Sequence, residues 1–289
     1  MLEVNNLCFS YNKKADFIDN MSFKIGCGEH IILFGADDSG KTTLFNLLSG
    51  FIARYKGNIL FHGTGINKLS KKLKKNIRFV PDNIIMEKNM TAKEYLLWAK
   101  AANDGFDSDM SEKLCKLFDI DITEQLLNMT FCKNKLIQII SEVCVGAELV
   151  VMDEPCNFID ENTANKLFEV LKAEYKKTSF LIMCENFEDI KKFADRYMFM
   201  DNGEIKTECR IDNPIIKWKA VTVRGENITD NFISHMEKVI AKKDDETVFL
   251  YKDSMEQLPE ILMRENSLDW IVEELTMAEQ LQCDFSRWE

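Results

Sequence analysis

The chain has 289 residues, with 37 Lys and Arg against 48 Asp and Glu for a formal net charge of −11, and 46% of its residues are hydrophobic. Only 12 Gly and 4 Pro are present, which excludes a disordered composition, and the length suits one large or two smaller domains burying roughly 75% of the unfolded surface. No stretch approaches the ~18 consecutive apolar residues of a membrane-spanning helix, and the acidic balance argues against nucleic acid as a partner.

The amino-terminal MLEVNNLCFSY has no basic segment followed by a long apolar one, so a cytoplasmic address is expected. Nine cysteines occur without a C-x-x-C pair, and three histidines complete no zinc spacing, so the cysteines read as reduced thiols.

In chain order, residues 2–11, 17–26 and 30–35 read as strands, the last an apolar run entering a glycine turn. From Lys41, Leu44, Leu47 and Leu48 fall at helical spacing, and Gly50 marks the end of that helix. A hairpin-like stretch covers Gly57 to Gly65. Ile66, Leu69, Leu73 and Ile77 then recur every three to four residues and predict an amphipathic helix, with Lys68, Lys71, Lys72, Lys74 and Lys75 as a solvated face. Residues 91–144 carry several helical windows and read as a helical insert. Strands return at 148–155 and 178–184 around a helical pattern at 163–177, the alternation that builds a parallel sheet. From about Lys206 the character changes to a small α+β extension, with strands at 221–226 and 247–252 and helices at 233–242 and 269–281. The expected division is therefore 1–205, with the insert at about 84–145, and 206–289.

Gly35-Ala-Asp-Asp-Ser-Gly40-Lys41-Thr42 satisfies G-x-x-x-x-G-K-[ST] between a predicted strand and a predicted helix, the context the motif requires. Such a loop turns backbone N–H groups around phosphate oxygens at a helix amino terminus, its lysine reaches the β and γ phosphates, and its Thr holds Mg²⁺. Gly35, Asp38, Ser39, Gly40, Lys41, Thr42 and Thr43 are the expected contacts. The apolar Leu149–Met152 run delivers Asp153 and Glu154 at its end, the first placed to approach Mg²⁺ and the second to polarise a water.

Tyr11, the phosphate loop, the helical insert, LVVMDEP, Asp160 and ADRYMFMDNGEI, in this order, resemble the nucleotide-binding subunits of ABC transporters over residues 1–205. The resemblance implies an α/β P-loop NTPase core with an antiparallel β subdomain and a helical insert, ATP and Mg²⁺ as cofactors, and adenine stacking by Tyr11. It also implies Glu154 and Lys41 as catalytic residues and Asp160 as the aspartate that follows the Asp153–Glu154 pair. Glu274 to Glu279 resembles, over a short stretch, the closing segment of ATPases serving exporters of peptides, antibiotics or lantibiotics; an amphipathic helix explains the same residues.

The chain departs from that family's pattern at four places. The L-S-G-G-Q signature falls on Met129-Thr130-Phe131-Cys132-Lys133, without either glycine, leaving the Thr130 hydroxyl as a donor and Lys133 as an added cation. The switch histidine falls on Glu185, and the glutamine that serves the metal falls on Asp82, or on Asn83 with a one-residue slip. Asp38 stands where glycine is usual, and aspartate tolerates a left-handed backbone. Losing one transition-state donor costs ~100–1000-fold in rate. A carboxylate about 4 Å from phosphate charge adds roughly 4 kcal/mol of repulsion at an effective dielectric near 20. The expectation is therefore retained Mg-ATP binding with slow hydrolysis, in an exporter subunit held at the inner membrane face by a permease and paired with a second ATP-binding subunit as a heterodimer. The alternative is a regulatory subunit with little or no ATPase activity beside an active homologue.

Overall fold

The computed structural model describes residues 1–11, 17–84, 90–185, 188–210, 218–224, 228, 232–233, 236, 238–243, 246–252 and 269–275. The chain divides into two compact units, 1–211 and 212–289.

The first unit begins with β1 (Leu2–Phe9), β2 (Ile18–Ile25), β3 (His30–Phe34), α1 (Lys41–Ser49), β4 (Lys56–Phe61) and β5 (Thr64–Gly65). It continues through α2 (Lys71–Lys74), β6 (Ile77–Val80), α3 (Ala92–Ala102), α4 (Ser108–Leu117) and α5 (Phe131–Val143). It closes with β7 (Leu149–Asp153), α6 (Glu161–Glu174), β8 (Ser179–Cys184), β9 (Arg196–Asp201) and β10 (Glu204–Arg210). The division expected at 205/206 would cut β10, which instead pairs along its length with β9 and closes the main sheet.

Two sheets enclose the core. An antiparallel sheet has the order β2-β1-β4-β5, and a six-stranded sheet the order β10-β9-β3-β8-β7-β6. Strand β2 alternates, burying Met21, Phe23 and Ile25 between exposed residues, as a strand with one wet face does. Strands β3, β7 and β8 are buried at every position, because they are parallel and covered on both faces. Leu44, Leu47 and Leu48 of α1 fill the space between the sheets against Val4, Leu7, Ile31, Leu33 and Val151.

Between Ile66 and Ile77 the expected continuous helix is broken. A 3₁₀ turn over Ile66–Lys68 and the four-residue α2 are followed by a strand, β6, that Ile77 opens. Ile77 pairs with Leu149 of β7, and this sheet-edge burial overrides the helical spacing of the apolar residues. Lys68, Lys71, Lys74 and Lys75 are exposed.

The insert consists of α3, α4 and α5. Each starts at a side-chain cap: Thr91 in a capping box with Glu94, Asp107 on the Met110 amide, and Thr130 on the Lys133 amide.

In the second unit the described residues form one antiparallel sheet, β12-β13-β11-β14, from β11 (Trp218–Arg224), β12 (Lys238–Lys243), β13 (Glu246–Lys252) and β14 (Asp269–Glu274). The strand expected at 247–252 lies within β13, and that expected at 221–226 overlaps β11 up to Arg224, its last two residues lying outside the described residues. The helices expected at 233–242 and 269–281 are corrected: Lys238–Lys243 and Asp269–Glu274 are strands. Val239 and Ile240, like Ile271 and Val272, are β-branched pairs that suit a pleated surface, and ladder pairing onto β13 and β11 decides for strand. Residues 276–281, including most of the segment with the exporter resemblance, lie outside the described residues.

Candidate functional site

Register brings the site together. Phe34 is level with Cys184 across β3 and β8, and Asp153 with Met183 across β7 and β8, so the three strands end along one line. The next residues are fastened there: the Gly35 amide donates to Cys184 O (3.2 Å) and the Glu154 amide to Met183 O (2.8 Å). Ligands in open α/β sheets bind outside the carboxyl ends of the strands.

The loop between β3 and α1 has the backbone its glycines permit. Gly40 has φ +109°, a conformation side chains rarely adopt, and a Cβ on Gly35 would stand 2.2 Å from Met200 O. Asp38 occupies the left-handed region at φ +62°. The α1 amino terminus thus opens at Lys41 with no side chain capping it, leaving its first amides for an anion.

Lys41 is buried. Its ammonium donates to Gly35 O (2.7 Å) and Ala36 O (3.1 Å) and lies 3.5 Å from Glu154 Oε1. Glu154 sits at φ +44° and accepts the Glu185 amide at 3.3 Å. A non-glycine residue held there costs of order 1–3 kcal/mol, strain that collects at functional sites. Burial pushes the Glu154 carboxyl upward, against the pull of Lys41. Asp153 is raised mainly by burial too; the Thr42 hydroxyl bonded to it works in the opposite direction.

Asp153 Oδ1 is buried without a hydrogen-bond partner. That orphaned oxygen beside the Thr42 hydroxyl fits Mg²⁺, which binds through one or two carboxylates plus phosphate oxygens. Among the described residues no group of three or more His, Cys, Asp or Glu side chains forms a metal cage by itself. When bound, the ion would neutralise phosphate charge between Thr42 and Asp153.

A cavity of about 350 Å³ follows this loop, lined by Asp38 to Thr43 together with Asp82, Glu154, Asn157 and Glu185. It unites most of the expected site. Asp82 rather than Asn83 lines the cavity; its Oδ1 accepts from Asn157 Nδ2 at 2.7 Å, while the Asn83 carbonyl accepts from Gln138 (3.3 Å). Tyr11 is 61% exposed, and its hydroxyl pairs with Thr43 Oγ1 at 2.9 Å, putting an accessible ring next to α1.

Five expected residues, Tyr11, Gly35, Thr130, Asp153 and Asp160, are not on this wall. Thr130 is the exposed cap of α5, and Asp160 caps α6, accepting from the Thr163 amide (3.1 Å) and hydroxyl (2.7 Å). Beside Thr130, the Phe131 ring is 53% exposed and lies 5.3 Å from that of Phe158, which has φ +68°. Sequence reading missed Asn157, Phe17 and Asp37 on the cavity wall and Lys135 behind it. Position alone, three residues after Glu154, was the available signal for Asn157.

A protein-family model described as "ABC transporter" matches residues 18–157. The phosphonates import ATP-binding protein PhnC of Fusobacterium nucleatum is 28% identical over 71% of this chain and 90% of its own length. The linearmycin resistance ATP-binding protein LnrL of Bacillus subtilis is also 28% identical, over 71% of this chain and 68% of its own. Among solved structures, the dimeric bacterial ABC transporter cassette MJ0796 superposes with a TM-score of 0.64 at 17% identity, covering 74% of this chain and all of that one, which shows the fold. With its P-loop cassette fold and the family match over residues 18–157, the chain is similar to the ATP-binding subunits of ABC transporters.

Proposed function

We propose that this chain binds Mg-ATP between the Gly35–Thr43 loop and the Asp153–Glu154 pair, hydrolyses it slowly, and couples that cycle to a membrane permease. The observation that carries the reading is an intact catalytic half-site beside an obstructed signature. Lys41, Thr42 and Glu154 line one cavity, with Asp153 bonded to the Thr42 hydroxyl, whereas Phe131 and Cys132 stand where close backbone approach to phosphate needs glycine.

In this reading Lys41 and the α1 amides take the β and γ phosphates, and Tyr11 stacks on the base. Thr42 and Asp153, with Asp82 beyond them, face the ion. Glu154 orients the attacking water, and Glu185, in the position of a neutral donor, slows the reaction by repulsion. Thr130 and Asp160, both off the cavity wall, serve across an interface between two ATP-binding subunits. A second subunit with a glycine-bearing signature completes the site of this chain, so a heterodimer is favoured over a homodimer. No helix among the described residues is long and apolar enough to cross a membrane, and the permease is the proposed anchor at its inner face. Export is the direction we assign. The linearmycin resistance relative supports it, and the equally similar phosphonate import relative does not.

Phosphate release decides the matter. The chain alone should turn over slowly, and Phe131→Gly combined with Cys132→Gly should raise the rate by about 100-fold, the scale of one recovered transition-state donor. Glu154→Gln should remove the activity of the chain assembled with its partner and permease. Equal rates for the parent and the glycine variant, or no loss with Glu154→Gln, contradict the proposal; the second result favours the regulatory role.

A further inference from the structure

Helix α5 buries a cation behind the cavity. Lys135 is 0% exposed, among Leu136, Ile137, Ile139 and Ile140, where an apolar residue would pack at no electrostatic cost. Its ammonium donates to Pro81 O (2.9 Å) and Asp82 O (3.0 Å). Three residues along the same face of α5, Gln138 donates to Asn83 O (3.3 Å). The segment that leaves β6 is therefore tied to α5 at three successive carbonyls, although more than fifty residues separate them in sequence.

The tie continues to the cavity. Asp82 Oδ1 accepts from Asn157 Nδ2 (2.7 Å), and the Asn157 amide donates to Glu154 O (3.2 Å). One connected path thus runs from α5 through 81–83 and the Asp82 carboxylate to the turn that bears Glu154. Burial lowers the Lys135 pKa, and Asp82, Asp153, Cys156 and Glu154 pull it back up.

We propose that Lys135 is a positioning residue: with Gln138 it fastens the Pro81–Asn83 segment to α5 and holds the Asp82 carboxylate against Asn157, facing the ion that accompanies ATP. This rests on the reading of the cavity as a Mg-ATP site. A neutral side chain of similar length loosens the segment, lets Asp82 turn to solvent and weakens the contribution of Mg²⁺ to nucleotide affinity, while leaving the phosphate loop in place.

The test is calorimetric titration of the full chain with ATP, once with Mg²⁺ and once with EDTA, the ratio of the two affinities being the magnesium gain. Lys135→Met should lower that gain by about tenfold, as loss of an outer partner of a metal ligand does, with the EDTA affinity changed less than about twofold. In an Asp82→Asn background the same substitution should lower it no further, a non-additivity that general loosening of the core would not produce. Should Lys135→Met fail to fold, Gln138→Ala and Asn157→Ala should each lower the gain about threefold, again only with Asp82 present. An undiminished gain in the folded Lys135→Met variant, or in both substitutes, overturns the proposal, as does an equal loss with and without Asp82. A parent chain that binds no ATP overturns the underlying reading, and the proposal with it.

Discussion

On the proposed reading, Tyr11 is one side chain that carries much in a site built mainly from backbone. Its ring is exposed, and its hydroxyl is engaged by Thr43 in the first turn of α1. Stacking on a base contributes ~1–3 kcal/mol by alanine substitution. Tyr11→Ala should therefore weaken ATP binding by about 5- to 150-fold without changing the thermal midpoint, and Tyr11→Phe should stay within about threefold of the parent. Equal affinities for the alanine variant and the parent in a fluorescent-nucleotide titration would remove the stacking role. At this scale the phosphate loop is legible in sequence, because its chemistry lies in a fixed local spacing of Gly35, Gly40, Lys41 and Thr42. Asp153 and Glu154 are legible for a related reason, as the end of an apolar strand. Lys135 is not, since one cation within a helical window does not reveal which way the helix faces. Its partners, Pro81 and Asp82, are brought to it only by the crossover from β6 to β7.

Among the elements, α6 separates a local role from a functional one. Asp160 caps it through Thr163, and those bonds hold its carboxyl below the usual carboxylate range. Loss of such a cap lowers the midpoint of a unit this size by about 2–4 °C. Asp160→Ala should show that fall in thermal unfolding, whereas Asp160→Asn, also a good cap, should not. A normal midpoint for Asp160→Ala would deny the cap its stabilising role. Helices with polar caps and regular apolar spacing, such as α3, α4 and α6, are readable in advance. Strands β6, β12 and β14 are not, because Ile77, Val239 and Ile271 fall at spacings that a helix also accepts, and only pairing with β7, β13 and β11 resolves the ambiguity.

At the scale of the whole molecule, burial creates a dependence on pH. His30 stacks on Phe193 at 4.6 Å, and burial lowers its pKa below the usual 6.5, outweighing Asp195, 3.8 Å from Nδ1; Lys172 lowers it further. A depressed histidine takes up its proton more readily when unfolded, so its contribution is complete above about pH 6.5 and declines as the pH falls below that value. Denaturant unfolding at pH 7.5 and 5.5 should show His30→Gln losing less stability between the two than the parent, by up to about 1.4 kcal/mol per pH unit. Parallel losses would contradict this. The same burial raises the carboxyls of Asp153 and Glu154, against the pull of Thr42 on the first and of Lys41 on the second. Both demands meet at the phosphate loop, which on the proposed reading grips triphosphate while Asp153 and Thr42 face its metal. The most direct measurement is calorimetry of Mg-ATP binding to the parent and to Lys41→Ala. The account predicts saturable heat from the parent and binding weaker by about 100-fold in the variant, the scale of losing a buried charged contact. No heat from the parent, or the same isotherm from both proteins, would contradict it.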